Sequence, residues 1–344
     1  MKFVELSPPE LIAALNWLDK NDFHNLFIET PWSKKQITSI ELEPSTANTN
    51  ISISSSKSDF NETALKESID QTVVECAFFA SGIVKPIGWT DLMTEIDEIR
   101  SRNLLQGDRP RRIVFDTVAL NRRYYSVLEQ QISSAVGIRE PSGWGVSYLT
   151  TTGILKELAK YDWKYRQDQL VKLSEELPVD WFDWEEFTNQ LMSKDRLFRL
   201  GDVEGKKMCN SGRCVRASSD VKDDEIIKAL ERHSRYNREE ILAVSEDSDF
   251  VSKCKSFEIN ALRLDRGRMP SGPIKARWIE VCDLLYVLAV TLGVVRIKWD
   301  DEWLLLNGIW RGKKEESWNQ ERVKLSSENN ELLKWLTDVK TIAG

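Results

Sequence analysis

The sequence has only two histidines and five cysteines, and it has no apolar stretch long enough to cross a membrane. Five cysteines are an odd number and too few for a disulfide-stabilised secreted domain, which favours a reducing cytoplasm. The first residues lack a basic region followed by an apolar core, so no secretory signal peptide is expected. The longest apolar run, residues 284–295, is about half of a membrane span and is typical of a buried core helix. We therefore expect a cytoplasmic protein that does not bind membranes.

The negative charge of the chain is concentrated at its N-terminal end. Residues 1–100 hold 16 acidic and 8 basic residues, whereas the two kinds nearly balance in the rest of the chain. A net charge of −7 at pH 7 argues against passive binding of nucleic acid by the whole molecule. The balanced segment, with local clusters of both signs, is compatible with an acidic centre inside a basic rim.

Residues 1–107 are expected to form a separate, acidic, α-rich region of unknown role. Ser7 and Glu10 have the spacing of a capping box and predict the start of a helix. Gly107 to Pro110 predict a break in the chain, where we expect the domain boundary. We expect this region to offer a surface for a regulatory partner or for a second copy of the chain. Its expected elements are a helix over 8–20, a loop over 44–63, and helices near 64–80 and 90–102.

From residue 108 onward, short apolar runs alternate with longer amphipathic segments. This alternation predicts βαβ units and a parallel sheet. We expect an α/β domain over 108–296, with three α/β/α layers around a mostly parallel sheet. Residues 162–219 are interpreted as an insertion in this domain, and 297–344 as a C-terminal extension that packs on it. The expected strands are 111–116, 145–149, 240–245 and 259–264, and the expected helices are 118–135, 151–161, 223–235 and 248–257.

Acidic side chains follow the predicted strands or begin the helices between them. The carboxyl ends of parallel strands meet at one edge of a sheet, so these side chains are expected to converge there. No lysine or histidine is expected to pair with them. Converging carboxylates repel one another and need either shared protons or a hard divalent cation, and Mg²⁺ or Mn²⁺ suits so many oxygens better. Such an ion activates water for hydrolysis of a phosphodiester. The acids are Asp116, Glu157, Asp223, Asp224, Asp247 and Asp249.

Residues 111–290 resemble the PIN-domain nucleases. The resemblance rests on IVFDTVAL (113–120), the glutamate of ILKEL (154–158), the start of DDEIIKAL (223–230) and VSEDSDF (244–250), a motif that also resembles the related NYN nucleases. It implies an endoribonuclease on a parallel α/β/α sheet that depends on one or two Mg²⁺ or Mn²⁺ ions. The catalytic acids that it implies are Asp116, Glu157, Asp224 or its neighbour Asp223, and Asp247, with Asp249 as an auxiliary acid and the hydroxyl of Ser245 beside them.

The substrate that the resemblance implies is RNA, and we expect single-stranded RNA. Basic side chains near the predicted site are expected to contact its phosphates or else to form a solvated surface. The same acids suit two other functions, a structure-specific DNA nuclease and an inactive PIN-like module that binds RNA or protein. The basic residues are Arg122, Arg123, Arg266, Arg268, Lys275 and Arg277.

The acids and the cysteines also have ordinary structural interpretations. An aspartate after a strand is frequently a turn residue or a helix N-cap, and acidic residues at a helix start favour the helix dipole. Glu157 suits a surface salt bridge. Cys209 and Cys214 form a C-x₄-C pair without two further ligands nearby, which favours reduced thiols over a zinc site.

Overall fold

The chain folds into two compact units, each built from segments that are distant in sequence. The computed structural model describes residues 3–43, 48–63, 69–136, 146–160, 164–177, 181–184, 191 and 193–343. The antiparallel-sheet unit comprises Met1–Val84, Trp163–Arg196 and Met269–Gly344. The parallel-sheet unit comprises Lys85–Asp162 and Leu197–Arg268.

The strands and helices alternate irregularly along the chain. In chain order, the described strands are β1 (Phe3–Leu6), β2 (Asn25–Glu29), β3 (Thr38–Leu42), β4 (Asn48–Ile53), β5 (Arg111–Phe115), β6 (Ser147–Thr151), β7 (Cys214–Ala217), β8 (Glu240–Ser245), β9 (Asn260–Arg263), β10 (Ile274–Arg277), β11 (Val294–Trp299), β12 (Glu302–Asn307) and β13 (Val323–Ser327). The described helices are α1 (Pro8–Lys20), α2 (Gln71–Ala80), α3 (Trp89–Ser101), α4 (Thr117–Asn121), α5 (Tyr124–Val136), α6 (Thr152–Leu158), α7 (Gln167–Glu176), α8 (Ser193–Asn210), α9 (Asp223–Asn237), α10 (Ser248–Ser256), α11 (Trp278–Leu292), α12 (Glu315–Asn319) and α13 (Asn330–Ala343).

The antiparallel-sheet unit is built on an eight-stranded sheet with the strand order β1-β13-β12-β11-β2-β3-β4-β10. Its strands follow the two-residue alternation of a half-buried sheet, as in β2, where Leu26 and Ile28 are buried between more exposed neighbours. Helix α11 is apolar on almost every side and packs on α1, α2 and β11. The prediction of a buried core helix in the apolar run is therefore confirmed for the part that lies in α11.

The prediction of an α-rich N-terminal region is wrong, because β1 to β4 are strands of this sheet. The predicted loop over 44–63 contains β4, in which Thr49 and Ile51 are buried on one face. The segment is rich in Ser, Thr and Asn, which suggests a loop, but its buried and exposed residues alternate over a length sufficient for a strand. The helix predicted over 8–20 is confirmed, and Ser7 and Glu10 form its capping box.

The C-terminal residues also belong to the antiparallel-sheet unit rather than to the parallel-sheet unit. Strands β12 and β13 pair with each other, and β13 pairs with β1 in the register Phe3↔Ser326. Residues 297–344, expected as a C-terminal extension, are part of the antiparallel-sheet unit. Pairing between the two ends of the chain is a long-range event that local sequence patterns do not record.

The parallel-sheet unit has five parallel strands in the order β7-β6-β5-β8-β9. Strands β5 and β8 lie side by side in its middle. Residues 113–115 of β5 and 241–244 of β8 are consecutive buried apolar residues, as expected where both faces of a parallel strand are covered. Helix α9 packs on β6, β7 and β8, and α10 packs on β8 and β9. The predicted α/β class, with a parallel sheet and a separate region, is confirmed at this level.

The boundaries of the parallel-sheet unit differ from the predicted ones in two places. Helix α3 belongs to this unit, since Leu92 and Ile96 pack in its core, so the unit begins before the predicted boundary at 107. The predicted insertion over 162–219 is divided between the units, and its last part supplies β7, an outer strand of the parallel sheet. Strand β7 is short and half-exposed, so its sequence has no run or alternation of apolar residues that would predict a strand. Within the described part of the chain, helices long and apolar enough to cross a membrane are absent.

Candidate functional site

The parallel sheet changes its direction of growth between β5 and β8. The chain adds β6 and then β7 on one side of β5, and it then returns to add β8 and β9 on the other side. In an open parallel sheet, the crevice beyond the carboxyl ends of two such strands is the usual place for a ligand. Asp116 directly follows β5, and Ser245 is the last residue of β8. The register pairs Phe115 with Val244, so these two strand ends lie side by side.

Asp116 is a buried carboxylate at the end of β5, with only 6% of its surface exposed. Its side chain is the N-cap of α4 and accepts a hydrogen bond of 2.7 Å from the backbone N–H of Ala119. Its other carboxylate oxygen accepts a short hydrogen bond from the hydroxyl of Ser245. Asp116 can therefore be both a helix N-cap and a residue of the candidate site. One of its carboxylate oxygens bonds to the start of α4, and the other bonds to Ser245 at the end of β8.

Ser245 connects Asp116 to Asp247. Its hydroxyl is fully buried, donates to Asp116 and accepts a hydrogen bond of 2.8 Å from the backbone N–H of Asp247. Asp247 is exposed and caps α10 by accepting a hydrogen bond of 2.7 Å from the N–H of Asp249. The chain therefore fixes one buried and one exposed carboxylate at adjacent strand ends.

The burial of Asp116 raises its pKa to about 7, against an ordinary value of 3.8. The hydrogen bonds from Ser245 and Ala119 lower this pKa, while the negative charges of Asp247 and Glu246 raise it further. A carboxyl group in this state is half protonated near neutral pH. A bound cation would favour its charged form.

Glu157 approaches the same strand end from α6. The hydroxyl of Thr117, the residue after Asp116, donates a hydrogen bond of 2.8 Å to the Glu157 carboxylate. Thr117 is buried, so it holds Glu157 against the start of α4. The structure thus brings Asp116, Glu157 and Asp247 to one edge of the sheet.

Asp223 and Asp224 begin α9 and share a basic partner that the sequence pattern did not reveal. The ammonium of Lys253, on α10, lies 3.3 Å from a carboxylate oxygen of each. The hydrogen bonds that Lys253 donates to Asp223 and, to a smaller extent, to Asp224 raise its pKa. The expectation that no lysine pairs with the acids is therefore wrong. The buried thiol of Cys254 has its pKa raised to about 12, by burial first and then by the charges of Asp116 and Asp223, which puts both acids near it.

Glu246 lies beside the candidate site and was not predicted from the sequence. Its carboxylate is 9% exposed, accepts a hydrogen bond of 2.6 Å from the hydroxyl of Tyr124, and lies 3.5 Å from Arg122 and 3.2 Å from Arg266. The signal was its position inside VSEDSDF, between two residues that were already predicted. Glu246 fixes two of the predicted phosphate-binding arginines beside the carboxylates.

The other predicted basic residues do not form one cluster. Arg123 is 2% exposed and pairs with the buried Glu204, so the prediction that it contacts RNA is wrong. Arg268 is exposed in the parallel-sheet unit, whereas Lys275 and Arg277 lie on β10 of the antiparallel sheet. Arg277 pairs with Glu280 in the first turn of α11. Lys275 and Arg277 were expected near the site because they follow the last parallel strand in sequence. The parallel-sheet unit, however, ends at Arg268.

The donor set at the strand ends suits a hard cation that keeps water ligands. Among the described residues, no group of three His, Cys, Asp or Glu side chains lies close enough to hold one ion. Mg²⁺ does not require such a cage, because proteins usually bind it through one or two carboxylates, several waters and the phosphates of the substrate. Asp116 and Asp247 offer two carboxylates, and burial raises the pKa of Asp116, so a bound cation would favour its charged form.

No protein-family model matches the sequence, and no curated protein matches it.

Proposed function

We propose that the parallel-sheet unit is a divalent-metal-dependent endoribonuclease of PIN- or NYN-like type, with three α/β/α layers. One observation carries the proposal: a buried carboxylate, Asp116, stands between the two central strand ends with an exposed carboxylate, Asp247, beside it. A structural turn does not need a charged group that is so costly to bury. Binding of a cation at this point compensates that cost.

Asp116 and Asp247 are the residues that would hold Mg²⁺ or Mn²⁺, with Glu157 at the same edge. When bound, such an ion lowers the pKa of a coordinated water and neutralises charge on the phosphate. The hydroxyl of Ser245 fixes the orientation of Asp116 and also holds the backbone of Asp247. Thr117 orients Glu157, which can accept a proton from water.

Arg266 is the basic residue best suited to bind the RNA backbone. Its side chain is 41% exposed and is anchored 3.2 Å from Glu246, next to Asp247 in sequence. Anchoring by Glu246 reduces the freedom that the arginine loses when it binds a phosphate. Arg122 is anchored by the same carboxylate but is only 13% exposed, so it contributes mainly to the packing of Glu246.

The experiment is a cleavage assay with purified full-length protein on single-stranded RNA, duplex RNA and flap DNA, with Mn²⁺ or with EDTA. We expect cleavage of single-stranded RNA that requires Mn²⁺ and that is lost in Asp116→Asn. The matched control is Asp97→Asn, which removes an aspartate that is 74% exposed on α3, and it should cleave like wild type. Cleavage of flap DNA alone would replace the proposal with a structure-specific DNA nuclease. Activity that persists in EDTA would contradict it.

An inactive RNA- or protein-binding module is the second candidate, and Lys253 is the observation that favours it. The ammonium of Lys253 offsets one of the two negative charges of Asp223 and Asp224, which were predicted metal ligands. If Lys253 replaces the ion, wild type cleaves none of the substrates, and Mn²⁺ leaves its melting temperature unchanged. If the proposal holds, Lys253→Met keeps Mn²⁺-dependent cleavage, because the ion is held by Asp116 and Asp247.

A further inference from the structure

A groove with a volume of about 730 Å³ lies between the end of β7 and the second half of α9. Ala217, the last residue of β7, and Ser218 line it on one side, and residues of α9 line it on the other. The groove-lining positions 229, 232, 233 and 236 have the spacing of one helix face. The small side chain of Ala229 leaves room between α9 and the strand that a larger residue would fill.

The charged side chains of this groove are basic. The side chain of Arg232 is exposed and donates to a backbone carbonyl of its own helix at 3.2 Å rather than to a carboxylate. Arg235 pairs with Glu231 at 2.7 Å but is 76% exposed. None of the described residues that line the groove is acidic, and residues 228–238 hold four basic residues and one acidic residue. The groove is therefore suited to an anion.

Tyr236 adds an aromatic ring to the same groove. Its side chain is 89% exposed, more than any other aromatic side chain that the structure describes. Tyr236 lies four residues after Arg232 on α9, so its ring and the guanidinium of Arg232 are neighbours on the helix surface. Proteins bind single-stranded nucleic acids with this combination, in which cations follow the phosphates and aromatic rings stack on the bases.

The groove begins at the edge of the sheet that carries the candidate site. Ala217 and Ser218 lie at the carboxyl end of β7, and Asp116 follows the carboxyl end of β5, with only β6 between the two strands. Neighbouring strands are about 4.8 Å apart, so these two strand ends are separated by about 10 Å. A strand of RNA in the groove can therefore continue to the candidate site along the surface of one unit.

We propose that this groove, formed by Ala217, Ser218 and residues 229–237, is a docking site for single-stranded RNA outside the candidate metal site. Arg232 and Arg235 contact phosphates, and Tyr236 stacks on a base. An acidic peptide would also contact the arginines, but it has no planar base for the exposed ring, so the groove suits RNA better. The inference goes beyond the proposed nuclease function, because RNA can bind here whether or not the strand ends cleave it.

The experiment measures binding of a labelled single-stranded RNA without self-complementarity, by fluorescence anisotropy. It uses full-length protein in EDTA, so that metal-dependent cleavage does not occur. Tyr236→Ala should weaken binding about fivefold or more, because stacking on a base is lost, and Tyr236→Trp should retain wild-type affinity. Because the ring is exposed, neither change removes a contact that holds the core together.

A second variant tests the phosphate contacts. Replacing Arg232 and Arg235 together with glutamine should flatten the log–log salt dependence of RNA binding by about 0.7 for each lost contact. The matched control is Lys255→Gln, which removes an exposed basic residue on α10, and it should keep the affinity and the salt dependence of wild type.

Cleavage in Mn²⁺ is measured separately, so that the groove and the nuclease proposal can fail independently. If wild type binds the RNA without cleaving it, and the groove variants bind it less tightly, the nuclease proposal fails and the groove stands. If Tyr236→Ala and the double arginine variant bind like wild type, the groove proposal is overturned even where wild type cleaves. It is also overturned if polyglutamate displaces the labelled RNA as effectively as unlabelled RNA does, since the groove would then bind an acidic peptide.

Discussion

Replacing Asp116 with asparagine should stabilise the protein, and the gain should grow with pH. Asparagine keeps the shape of the side chain and is as good a helix N-cap as aspartate, so the hydrogen bond from Ala119 is retained. The hydroxyl of Ser245 can rotate to accept from the new amide. What disappears is the negative charge in a buried position, together with its repulsion from Asp247 and Glu246.

The magnitude follows from the raised pKa of Asp116. An ordinary aspartate has a pKa of 3.8, and that of Asp116 in the folded chain is about 7. The folded state therefore holds the proton more tightly than the unfolded chain does. Its contribution to the free energy of unfolding is fully present below about pH 4 and is lost as the pH rises to about 7. At about 1.36 kcal/mol per pKa unit, the whole loss is about 4 kcal/mol, of which about 3 kcal/mol falls between pH 5 and pH 8.

Amide hydrogen exchange in β5 and β8 is the appropriate assay, and it is carried out in EDTA. Exchange there reports the opening of the parallel-sheet unit, whereas most of the 13 tryptophans lie in the other unit and would dominate a fluorescence signal. Wild type and Asp116→Asn are compared at the same pH, so the intrinsic exchange rates cancel. The ratio of protection, variant over wild type, should increase about a hundredfold from pH 5 to pH 8, since about 1.4 kcal/mol corresponds to a factor of ten.

The control for this prediction is Asp97→Asn, because Asp97 is 74% exposed and its removal should change the ratio little at either pH. A ratio for Asp116→Asn that is the same at pH 5 and pH 8 would refute the reasoning, since it would mean that Asp116 ionises as easily in the fold as in water. A loss of protection at both pH values would show that the carboxylate has a purely structural role.

Three further variants test other parts of the unit. Ser245→Ala should cost about 1–3 kcal/mol in the free energy of unfolding by urea, because it leaves a buried acceptor on Asp116 and a backbone donor unsatisfied. Arg123→Met should lower the free energy of unfolding by about 3–5 kcal/mol, because it leaves the buried carboxylate of Glu204 without its ion-pair partner. The salt dependence of RNA binding should stay that of wild type. Replacing Arg266 and Arg268 with glutamine should flatten the log–log salt dependence of RNA binding by about 0.7 per lost phosphate contact, and an unchanged slope would mark both as solvated surface.

Sequence reasoning predicted the central strands and their polar ends because the relevant signals are local. The runs before Asp116 and Asp247 are apolar on both faces, as central parallel strands require, and a polar residue follows each. Parallel pairing then puts those residues at one edge without any knowledge of side-chain contacts. The capping box of α1 was predictable for the same reason, since all its atoms come from one turn of the chain.

The missed features depend on contacts between distant residues. Nothing near Lys253 in the sequence indicates that it lies beside Asp223, because the contact joins two helices separated by β8. The burial of Arg123 is equally hidden, since its partner Glu204 lies on α8. Strand β7 lacks an apolar pattern, and only its pairing with β6 defines it as a strand.

The pairing of the chain's first strands with its last ones affects how the protein is made. Strand β1 pairs with β13, and β2 pairs with β11 in the register Ile297↔Ile28. A ribosome that adds roughly 5–20 residues per second reaches these partners on the order of 10–50 s after the first strands emerge. During that time, the β2–β3–β4 meander has an unpaired edge of the kind that aggregates. The parallel-sheet unit is synthesised within this interval. All its segments are therefore available before the antiparallel sheet has its last strands.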